Sequence, residues 1–290
     1  MKVLILGASG MLGHMLFAGL LERGIDVYGS TRTPLHCCKS WQGRLRHGIN
    51  ALDLPSIVAL LNEVRPNVLV NAVGLIRQLP EGQEALPCLL VNAVLPHQLL
   101  GLCRERGIRL IHYSTDCVFD GKAGRPYTEE DRPTATDIYG LTKFLGEVSS
   151  PPALTIRTSI IGPELRGKHS LVEWFLAQKK CVSGYTEVIY TGLPTSEHAR
   201  ILAEYILPRK DLYGLFQVAA EPISKHDLLS LVAAIYQKDI QILPDSSVKE
   251  DKRLSGEAFY RATGYIAPPW PEMIAEMHRA HQRNAINFIR

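Results

Sequence analysis

The chain has 290 residues, of which 46% are hydrophobic, a composition that excludes a disordered protein and allows one large domain plus a smaller appendage. Its 32 basic and 29 acidic residues are interspersed and give a net charge of +3, so we predict no nucleic acid or membrane partner. No stretch approaches the roughly 20 apolar residues of a membrane span, and no secretory cleavage pattern follows the N-terminus. The expected compartment is the cytoplasm.

Apolar runs of strand length alternate with helical patterns along the first half of the chain. The strands are predicted at residues 2–6, 25–29, 67–71, 109–113 and 153–157, and the helices at 11–23, 54–64, 87–105 and 138–149. This alternation predicts an α/β fold with a Rossmann-type doubly wound parallel sheet. Ligands of such sheets bind beyond the carboxyl ends of the strands, so we expect the site there.

A glycine-rich turn follows the first strand and precedes the first helix. The missing β-carbons of its glycines would permit a tight turn and let backbone N–H groups approach a pyrophosphate at the helix N-terminus. Its position directly after the first strand predicts a dinucleotide site. The predicted contacts in this turn are Gly7, Ser9, Gly10, Met11, Leu12 and Gly13.

The end of the second strand indicates which dinucleotide is bound. Enzymes that use NAD usually place Asp or Glu there, on the ribose hydroxyls. Here the chain reads Ser30-Thr31-Arg32, with no carboxylate to repel a 2′-phosphate and a guanidinium able to grip it. We therefore expect NADP(H), with NAD(H) as the alternative. Arg32 as a solvated surface side chain is the competing interpretation.

Tyr139 and Lys143 are four residues apart, a spacing that places a phenol and an ammonium on one face of a helix. A cation beside a phenol favours the phenolate, so we predict a hydroxyl that donates and accepts protons near neutrality. A strand that ends in Ser114-Thr115 precedes the pair. Together with a dinucleotide, these groups suit the reduction of a carbonyl.

These residues resemble the extended short-chain dehydrogenase/reductase superfamily and, more closely, the dTDP-4-dehydrorhamnose reductase family. The resemblance covers nearly the whole chain, and the segments that carry it are Tyr113 to Gly121 (YSTDCVFDG), Tyr139 to Lys143 (YGLTK), Gly146-Glu147, Val91-Asn92-Ala93 and Arg157-Thr158-Ser159. It implies NADPH-dependent reduction of the 4-keto group of a nucleotide-activated 6-deoxyhexose, in the synthesis of surface polysaccharide precursors.

The resemblance also implies residue roles. Thr115 would donate a hydrogen bond to the substrate carbonyl and Tyr139 would deliver the proton, while Lys143 would lower the pKa of the phenol and hold the nicotinamide ribose. Asn92 would bridge the sheet and the active site through a water, or serve a purely structural role. Further implied cofactor contacts are Asp53 and Leu54 at the adenine, where Asp53 is equally suited to cap a helix, and Ala72, Val73, Gly74 and Ser114.

The substrate contacts are less defined by the sequence. The segment Thr115, Asp116, Cys117 and Val118 would face the sugar, and the candidate cations for a diphosphate are Arg77, Arg166, Lys168 and Arg253. The family's common Arg-Thr-Ser-Trp-Val stretch reads Arg157-Thr158-Ser159-Ile160-Ile161 here, so the aromatic residue beside the sugar is absent. A UDP-linked N-acetyl-deoxysugar is therefore as good a candidate as dTDP-4-dehydrorhamnose.

Beyond about residue 160 the pattern is interrupted by proline and glycine. We expect an NADP-binding Rossmann domain over residues 1–160 with returns near 192–220, and a smaller, discontinuous C-terminal substrate lobe over 161–191 and 221–290. A helix over 196–207 and a strand near 215–218 are the predicted returns. The histidines lack carboxylate partners in register, so we predict no metal.

Two alternatives to reduction remain open. An epimerase or dehydratase of the same superfamily would consume no net cofactor. A non-catalytic regulatory subunit, similar to the methionine adenosyltransferase β subunit, would bind NADP as a structural ligand. Relatives are commonly dimers, so we expect a homodimer.

Overall fold

The computed structural model describes residues 1–35, 41–78, 80–165 and 167–287, and for residues 284–287 it describes the backbone only. Arg166, one of the candidate cations, lies outside the described residues. The twelve strands among them are β1 (Lys2–Leu6), β2 (Asp26–Thr31), β3 (Leu45–His47), β4 (Val68–Asn71), β5 (Arg109–Tyr113), β6 (Ala153–Arg157), β7 (Ile160–Ile161), β8 (Cys181–Tyr190), β9 (Leu193–Pro194), β10 (Gly214–Gln217), β11 (Ile223–Ser224) and β12 (Gln241–Asp251).

The described residues form ten α-helices. These are α1 (Met11–Glu22), α2 (Leu54–Val64), α3 (Ala85–Cys88), α4 (Leu95–Arg106), α5 (Ile138–Leu145), α6 (Leu171–Ala177), α7 (Thr195–Ile201), α8 (Lys225–Ile235), α9 (Glu257–Thr263) and α10 (Trp270–Asn287). A π-helical segment, Leu89–Val94, joins α3 to α4, and another, Leu202–Ile206, extends α7.

Seven strands form one sheet in the order β10-β6-β5-β4-β1-β2-β3, and all neighbours run parallel. The strand order reverses between β1 and β4, which is the topological switch point of a doubly wound sheet. The predicted fold class is therefore confirmed. The strands predicted at 109–113 and 153–157 have the observed bounds.

The sheet is covered on both faces because its strands are apolar on both sides. Alternate residues of β1 enter different cores, with Val3 and Ile5 in one and Leu4 and Leu6 in the other. Helices α1 and α7 pack against each other on the first face, and residues of α2 and α4 fill the core on the second. This layering fixes the carboxyl edge of the sheet, where the functional groups lie.

Residues after β6 form a second, three-stranded sheet in the order β11-β8-β12 and also supply β10 to the main sheet. Strand β12 runs parallel to β8, whereas β11 runs antiparallel to it, and α8 packs against β8. The helix expected over 196–207 appears as α7 with its π-helical extension, and the expected strand near 215–218 is β10.

Three features differ from the sequence-based expectations. Strand β3 was not predicted, because it has only three residues and two of them are polar. Helix α5 ends at Leu145, since Gly146 occupies the C-cap position. Among the described residues, the helical run Ala85–Arg106 is long and apolar enough to cross a membrane by length and composition, contrary to our expectation that no stretch approaches a span. Half of its apolar window is buried, as in the core helices of globular folds.

Candidate active site

The glycine turn between β1 and α1 is compact because two of its glycines are required by geometry. Gly7 has φ = +83°, a conformation that L side chains rarely adopt. A β-carbon at Gly13 would lie 2.1 Å from the carbonyl oxygen of Gly7, so only glycine allows α1 to approach the turn. Gly10 is the N-cap residue of α1, and it has no side chain that could form a capping hydrogen bond. The helix N-terminus is thus left accessible to an anion.

A cavity of about 410 Å³ opens beside this turn. Seven predicted cofactor contacts line it, namely Gly7, Ser9, Gly10, Arg32, Ala72, Val73 and Gly74. Ser30, Asn50, Ala51 and Leu75 also line it and were not predicted. The backbone N–H of Gly7 donates to the Ser30 hydroxyl at 3.3 Å, which joins β2 to the turn. The arrangement fits a dinucleotide, because a glycine cradle, an exposed guanidinium and an apolar wall share one cavity.

Several predicted cofactor contacts do not line this cavity. Met11 and Leu12 begin α1 but are absent from the lining. The buried hydroxyl of Thr31 donates to the carbonyl oxygen of Thr33 at 2.8 Å and lies 2.7 Å from His47 Nδ1, so it is engaged within the protein. Asp53 and Leu54 also fall outside the lining, and the loop residues Asn50 to Leu52 take their place. Asp53 occupies the N-cap position of α2 without a side-chain capping hydrogen bond.

Asn92 holds the loop that follows β4. Its Oδ1 accepts a hydrogen bond from the backbone N–H of Leu75 at 2.9 Å, and its Nδ2 donates to the carbonyl oxygen of the same residue at 3.0 Å. A β-carbon at Gly74 would lie 3.4 Å from Asn92 Oδ1 and 4.0 Å from Lys143 Nζ. Asn92 therefore has the structural role that we considered, because it holds the loop of Gly74 and Leu75 beside Lys143.

Lys143 is buried, and its Nζ donates a 2.7 Å hydrogen bond to the carbonyl oxygen of Tyr113, at the end of β5. Burial lowers the pKa of Lys143 to about 8, and the nearby Glu147 carboxylate opposes this shift. The ammonium thus lies near Gly74, in the loop that follows β4, while it is anchored to the sheet. The role of holding a ribose hydroxyl stays a prediction.

Tyr139 is brought to Thr115 by the packing of α5. Asp137 caps this helix by accepting from the backbone N–H of Gly140 at 3.1 Å. A β-carbon at Gly140 would lie 2.3 Å from the carbonyl oxygen of Cys117, so glycine is needed for the helix to approach the 116–118 turn. The Tyr139 hydroxyl consequently lies close to Thr115, and the interaction between the two side chains lowers the pKa of the phenol.

The predicted phenolate character of Tyr139 needs correction. Burial raises the pKa of Tyr139, as does the neighbouring Cys117 thiol, and the interaction with Thr115 only partly opposes the shift. The ammonium of Lys143 is directed to the Tyr113 carbonyl instead. Tyr139 therefore keeps its proton near neutrality, which is the state that a proton donor requires.

The segment after β5 contains the predicted substrate contacts Thr115, Asp116, Cys117 and Val118, and hydrogen bonds within the segment hold its first residues. Thr115 Oγ1 accepts from the backbone N–H of Cys117 at 3.1 Å and donates to Asp116 Oδ1 at 3.1 Å. Burial raises the pKa of Asp116, and Lys252 and Lys225 oppose this shift. Val118 is fully buried in a small core with Phe119, so it does not face the substrate as predicted.

Ser114 faces away from Thr115, as expected for neighbours in an extended segment. Its hydroxyl donates to Glu147 Oε1 at 2.7 Å. The same carboxylate receives two hydrogen bonds from Arg157, each of 2.7 Å, and both side chains of this ion pair are buried. The hydroxyl of Ser114 therefore belongs to a buried polar network beneath the site and not to the predicted cofactor contacts.

The structure describes three of the four candidate cations for the diphosphate, and their surroundings differ. Arg77 pairs with Asp137 at 3.0 Å, and its Cζ lies 5.6 Å from the centroid of the Tyr139 ring, so it borders the site. Arg253 is held by Asp251 through two 2.7 Å hydrogen bonds. Lys168 is exposed.

Two lysines that lie near Asp116 were not among the site residues predicted from the sequence. Lys225 and Lys252 are both close enough to oppose the rise in the pKa of Asp116. No local motif marks either residue, because the return of the chain through β8 and β12 creates the proximity. Only the three-dimensional arrangement identifies them.

A second cavity, of about 330 Å³, lies between α1, α7 and α10. It contains none of the predicted site residues, and its charges pair with one another, as in Arg200 with Glu197 and Arg279 with Glu276. This second cavity therefore lies apart from the predicted site residues.

By its sheet order, and by the position of Lys143 beside Gly74 at the carboxyl edge of the sheet, the protein has the architecture of an extended short-chain dehydrogenase/reductase. The chain belongs to the family described as the RmlD substrate binding domain, whose model matches residues 1–279. The dTDP-4-dehydrorhamnose reductase of Salmonella typhimurium is 26% identical over 310 residues, which cover 96% of this chain and 98% of that protein.

Other relatives match over a shorter region. The dTDP-4-keto-6-deoxy-D-glucose reductase of Streptomyces niveus is 36% identical over 146 residues, which cover 50% of this chain and 45% of that protein. The methionine adenosyltransferase 2 subunit beta of Xenopus laevis is 32% identical over 151 residues, 50% of this chain and 41% of that protein. The match thus spans less than half the length of these two relatives.

Solved structures share the fold across the chain. The crystal structure of a dTDP-4-dehydrorhamnose reductase from Clostridium acetobutylicum superposes with a TM-score of 0.80 at 22% identity, and the match covers 97% of this chain and all of that one. The architecture predicted from the sequence is therefore shared with known members of the superfamily.

Proposed function

We propose that the protein is an NADPH-dependent reductase of the 4-keto group of a nucleotide-activated 6-deoxyhexose, serving the synthesis of surface polysaccharide precursors. The observation that carries this proposal is the position of Thr115, Tyr139 and Lys143 at the carboxyl edge of the sheet, with Lys143 beside Gly74 in the loop after β4. The names of the relatives from Salmonella typhimurium and Streptomyces niveus support the substrate class.

Each residue has a distinct task in this reaction. Thr115 donates a hydrogen bond to the substrate carbonyl, and Tyr139 transfers its phenolic proton to the same oxygen. Lys143 holds the ribose next to the nicotinamide and keeps a positive charge near the site. The bound cofactor supplies the hydride. Because burial keeps Tyr139 protonated, the resting site is prepared for reduction without a preceding proton uptake.

The cofactor of this reaction is NADP(H), and NAD(H) is the alternative. Arg32 is exposed at the mouth of the cavity, at the end of β2, where a 2′-phosphate would approach. The turn of Gly7 to Gly13 would hold the pyrophosphate, and Ala72 to Gly74 would face the rest of the dinucleotide.

The experiment that tests the function is a panel of nucleotide sugars mixed with purified protein and NADPH. We expect loss of the NADPH absorbance with 4-keto-6-deoxy sugar nucleotides and not with their 4-hydroxy counterparts. Product analysis then separates dTDP-linked from UDP-linked substrates, which the Ile160 position leaves open. Conversion of a sugar nucleotide without net NADPH loss would instead identify an epimerase or dehydratase. No conversion together with co-purification of a synthetase would favour the regulatory subunit.

The protein would act as a homodimer. Among the described residues, seven large apolar side chains are exposed on two neighbouring helical regions, namely Leu86, Leu89, Leu90, Val94, Leu141, Phe144 and Leu145. An apolar face of this kind is typical of a subunit interface, and a second copy offers the complementary face by two-fold symmetry. Light scattering should give a dimer mass for the wild type and a monomer mass for the Leu86→Lys/Leu90→Lys variant. Ile266→Lys, at an apolar residue that is 70% exposed elsewhere, is the matched control.

We also propose which parts of the chain bind the cofactor and which bind the substrate. Residues 1–160, with the returns near 192–220, would bind NADP, and residues 161–191 and 221–290 would bind the sugar nucleotide. Substrates of this class are made in the cytoplasm, where we place the protein. Neither nucleic acid nor membrane is a partner in this account.

A further inference from the structure

Lys225 directly follows β11 of the three-stranded sheet. It lies near the catalytic segment, which is Thr115 to Val118 after β5. It is the first residue of α8, and its Nζ lies 3.7 Å from the centroid of the Tyr190 ring, at the end of β8. Tyr190 is itself buried. An ammonium at this distance over an aromatic face is held by a cation–π interaction. The ring therefore fixes the position of the charge.

The charges that face Lys225 come from two other elements. Asp116 and Cys117 face it from the segment after β5, and Glu250 faces it from β12. Glu250 is already paired with Lys252. Among the described residues, Lys225 has no ion pair within 4.0 Å and no hydrogen bond from its ammonium, whereas Arg77 and Arg253 are each paired with an aspartate. Lys225 is thus the cation near the catalytic segment whose charge lacks a close partner.

A half-buried ammonium without a close anion is unfavourable, and a bound anion would compensate for this. Burial lowers the pKa of Lys225 to about 8, which reflects that cost. In a nucleotide-activated deoxyhexose, the formal negative charge is carried by the diphosphate, while the sugar offers neutral hydroxyl groups. An ammonium is satisfied best by the charged group.

We propose that Lys225, positioned on the ring of Tyr190, binds the diphosphate of the sugar nucleotide and so determines the specificity for nucleotide-linked substrates. This inference rests on the proposed function. Arg253, one of the four candidate cations for the diphosphate, is held by Asp251.

The test is isothermal titration calorimetry of dTDP and UDP into the protein saturated with NADP⁺. Lys225→Met should weaken the binding of the preferred diphosphate about tenfold, the size expected for loss of one charge-assisted hydrogen bond. Lys225→Arg should restore most of the affinity. Lys249→Met, which removes an exposed charge from β12, is the matched control and should bind as the wild type does. NADP⁺ affinity should be unchanged in all three variants.

The outcomes are distinguishable. Wild-type affinity in Lys225→Met, with normal thermal unfolding, would overturn the role of Lys225 and leave the proposed function intact. Equal losses in Lys225→Met and Lys249→Met would also overturn it, because a general charge effect would then explain the result. A wild-type protein that binds neither dTDP nor UDP would contradict both the proposed function and the role of Lys225.

Discussion

The ammonium of Lys143 donates a 2.7 Å hydrogen bond to the carbonyl oxygen of Tyr113, which anchors α5 to the carboxyl end of β5. Thr115 follows this anchor by two residues in the chain, and Tyr139 precedes Lys143 by one helical turn. Tyr139 and Thr115 are therefore positioned by the same contact. The arrangement depends on a buried lysine, and its consequences are measurable.

Cofactor binding should depend on pH through Lys143. Burial lowers the pKa of this group to about 8, so the ammonium persists below that pH and is lost above it. We expect NADPH affinity to be constant below about pH 7 and to fall as the pH rises through about 8. Fluorescence titration of NADPH checks this, and Lys143→Met should bind weakly with no such dependence. An unchanged affinity up to about pH 9.5 would contradict the assigned ribose contact.

The cofactor preference should depend on Arg32. Replacement by alanine removes the only guanidinium on the cavity lining, among the described residues, and with it the charge-assisted contact to a 2′-phosphate. We expect Arg32→Ala to raise KM for NADPH about tenfold or more and to leave KM for NADH unchanged. Steady-state kinetics with both cofactors measure this. An equal loss with both would show that Arg32 acts on the fold or on a group common to the two.

The glycine turn gives a prediction for stability. Gly13→Ala would place a β-carbon 2.1 Å from the Gly7 carbonyl oxygen, so we expect a loss of about 2 kcal/mol or more in the free energy of unfolding and loss of NADP⁺ binding. Gly101→Ala is the matched control, because no atom lies within 4 Å of the added carbon in the middle of α4. That substitution should stabilise the protein by about 0.5–1 kcal/mol. Chemical denaturation with urea compares the two variants.

The buried pair of Glu147 and Arg157 gives a second prediction for stability. The two side chains are 5% and 4% exposed, so removing one charge leaves the other buried and unpaired. Glu147→Gln should cost about 3 kcal/mol in the free energy of unfolding. Glu276→Gln is the control, since its pair with Arg279 is largely exposed and contributes about 0.5 kcal/mol or less. Similar losses in both variants would contradict the importance of burial.

Most strands of the main sheet could be predicted from the sequence, because they follow from local patterns, whereas the short strand β3 could not. Apolar runs of strand length mark β1, β4, β5 and β6, and glycines mark the turn at Gly7. The carboxyl ends of parallel strands then meet at one edge, which brings together residues that are far apart in the chain. The spacing of Tyr139 and Lys143 and the strand that ends in Ser114-Thr115 marked the candidate site, and the resemblance to the family supplied the role of each residue.

The remaining features depend on contacts between distant segments. The proximity of Lys225 to Asp116 is created by the second sheet and has no local pattern. The pKa of Tyr139 is governed by burial, which the four-residue spacing to Lys143 does not reveal. The pairing of Arg253 with Asp251 also could not be predicted from the sequence, because a charged residue two positions away is common in any sequence.

The most direct test of the account is single-turnover reduction of a 4-keto sugar nucleotide by Tyr139→Phe with NADPH bound. The variant lacks only the phenolic proton, so we expect the hydride-transfer rate to fall about 10²–10⁴-fold while the Kd for NADPH stays at the wild-type value. A variant that reduces the substrate at the wild-type rate would contradict the assignment of Tyr139 as the proton donor.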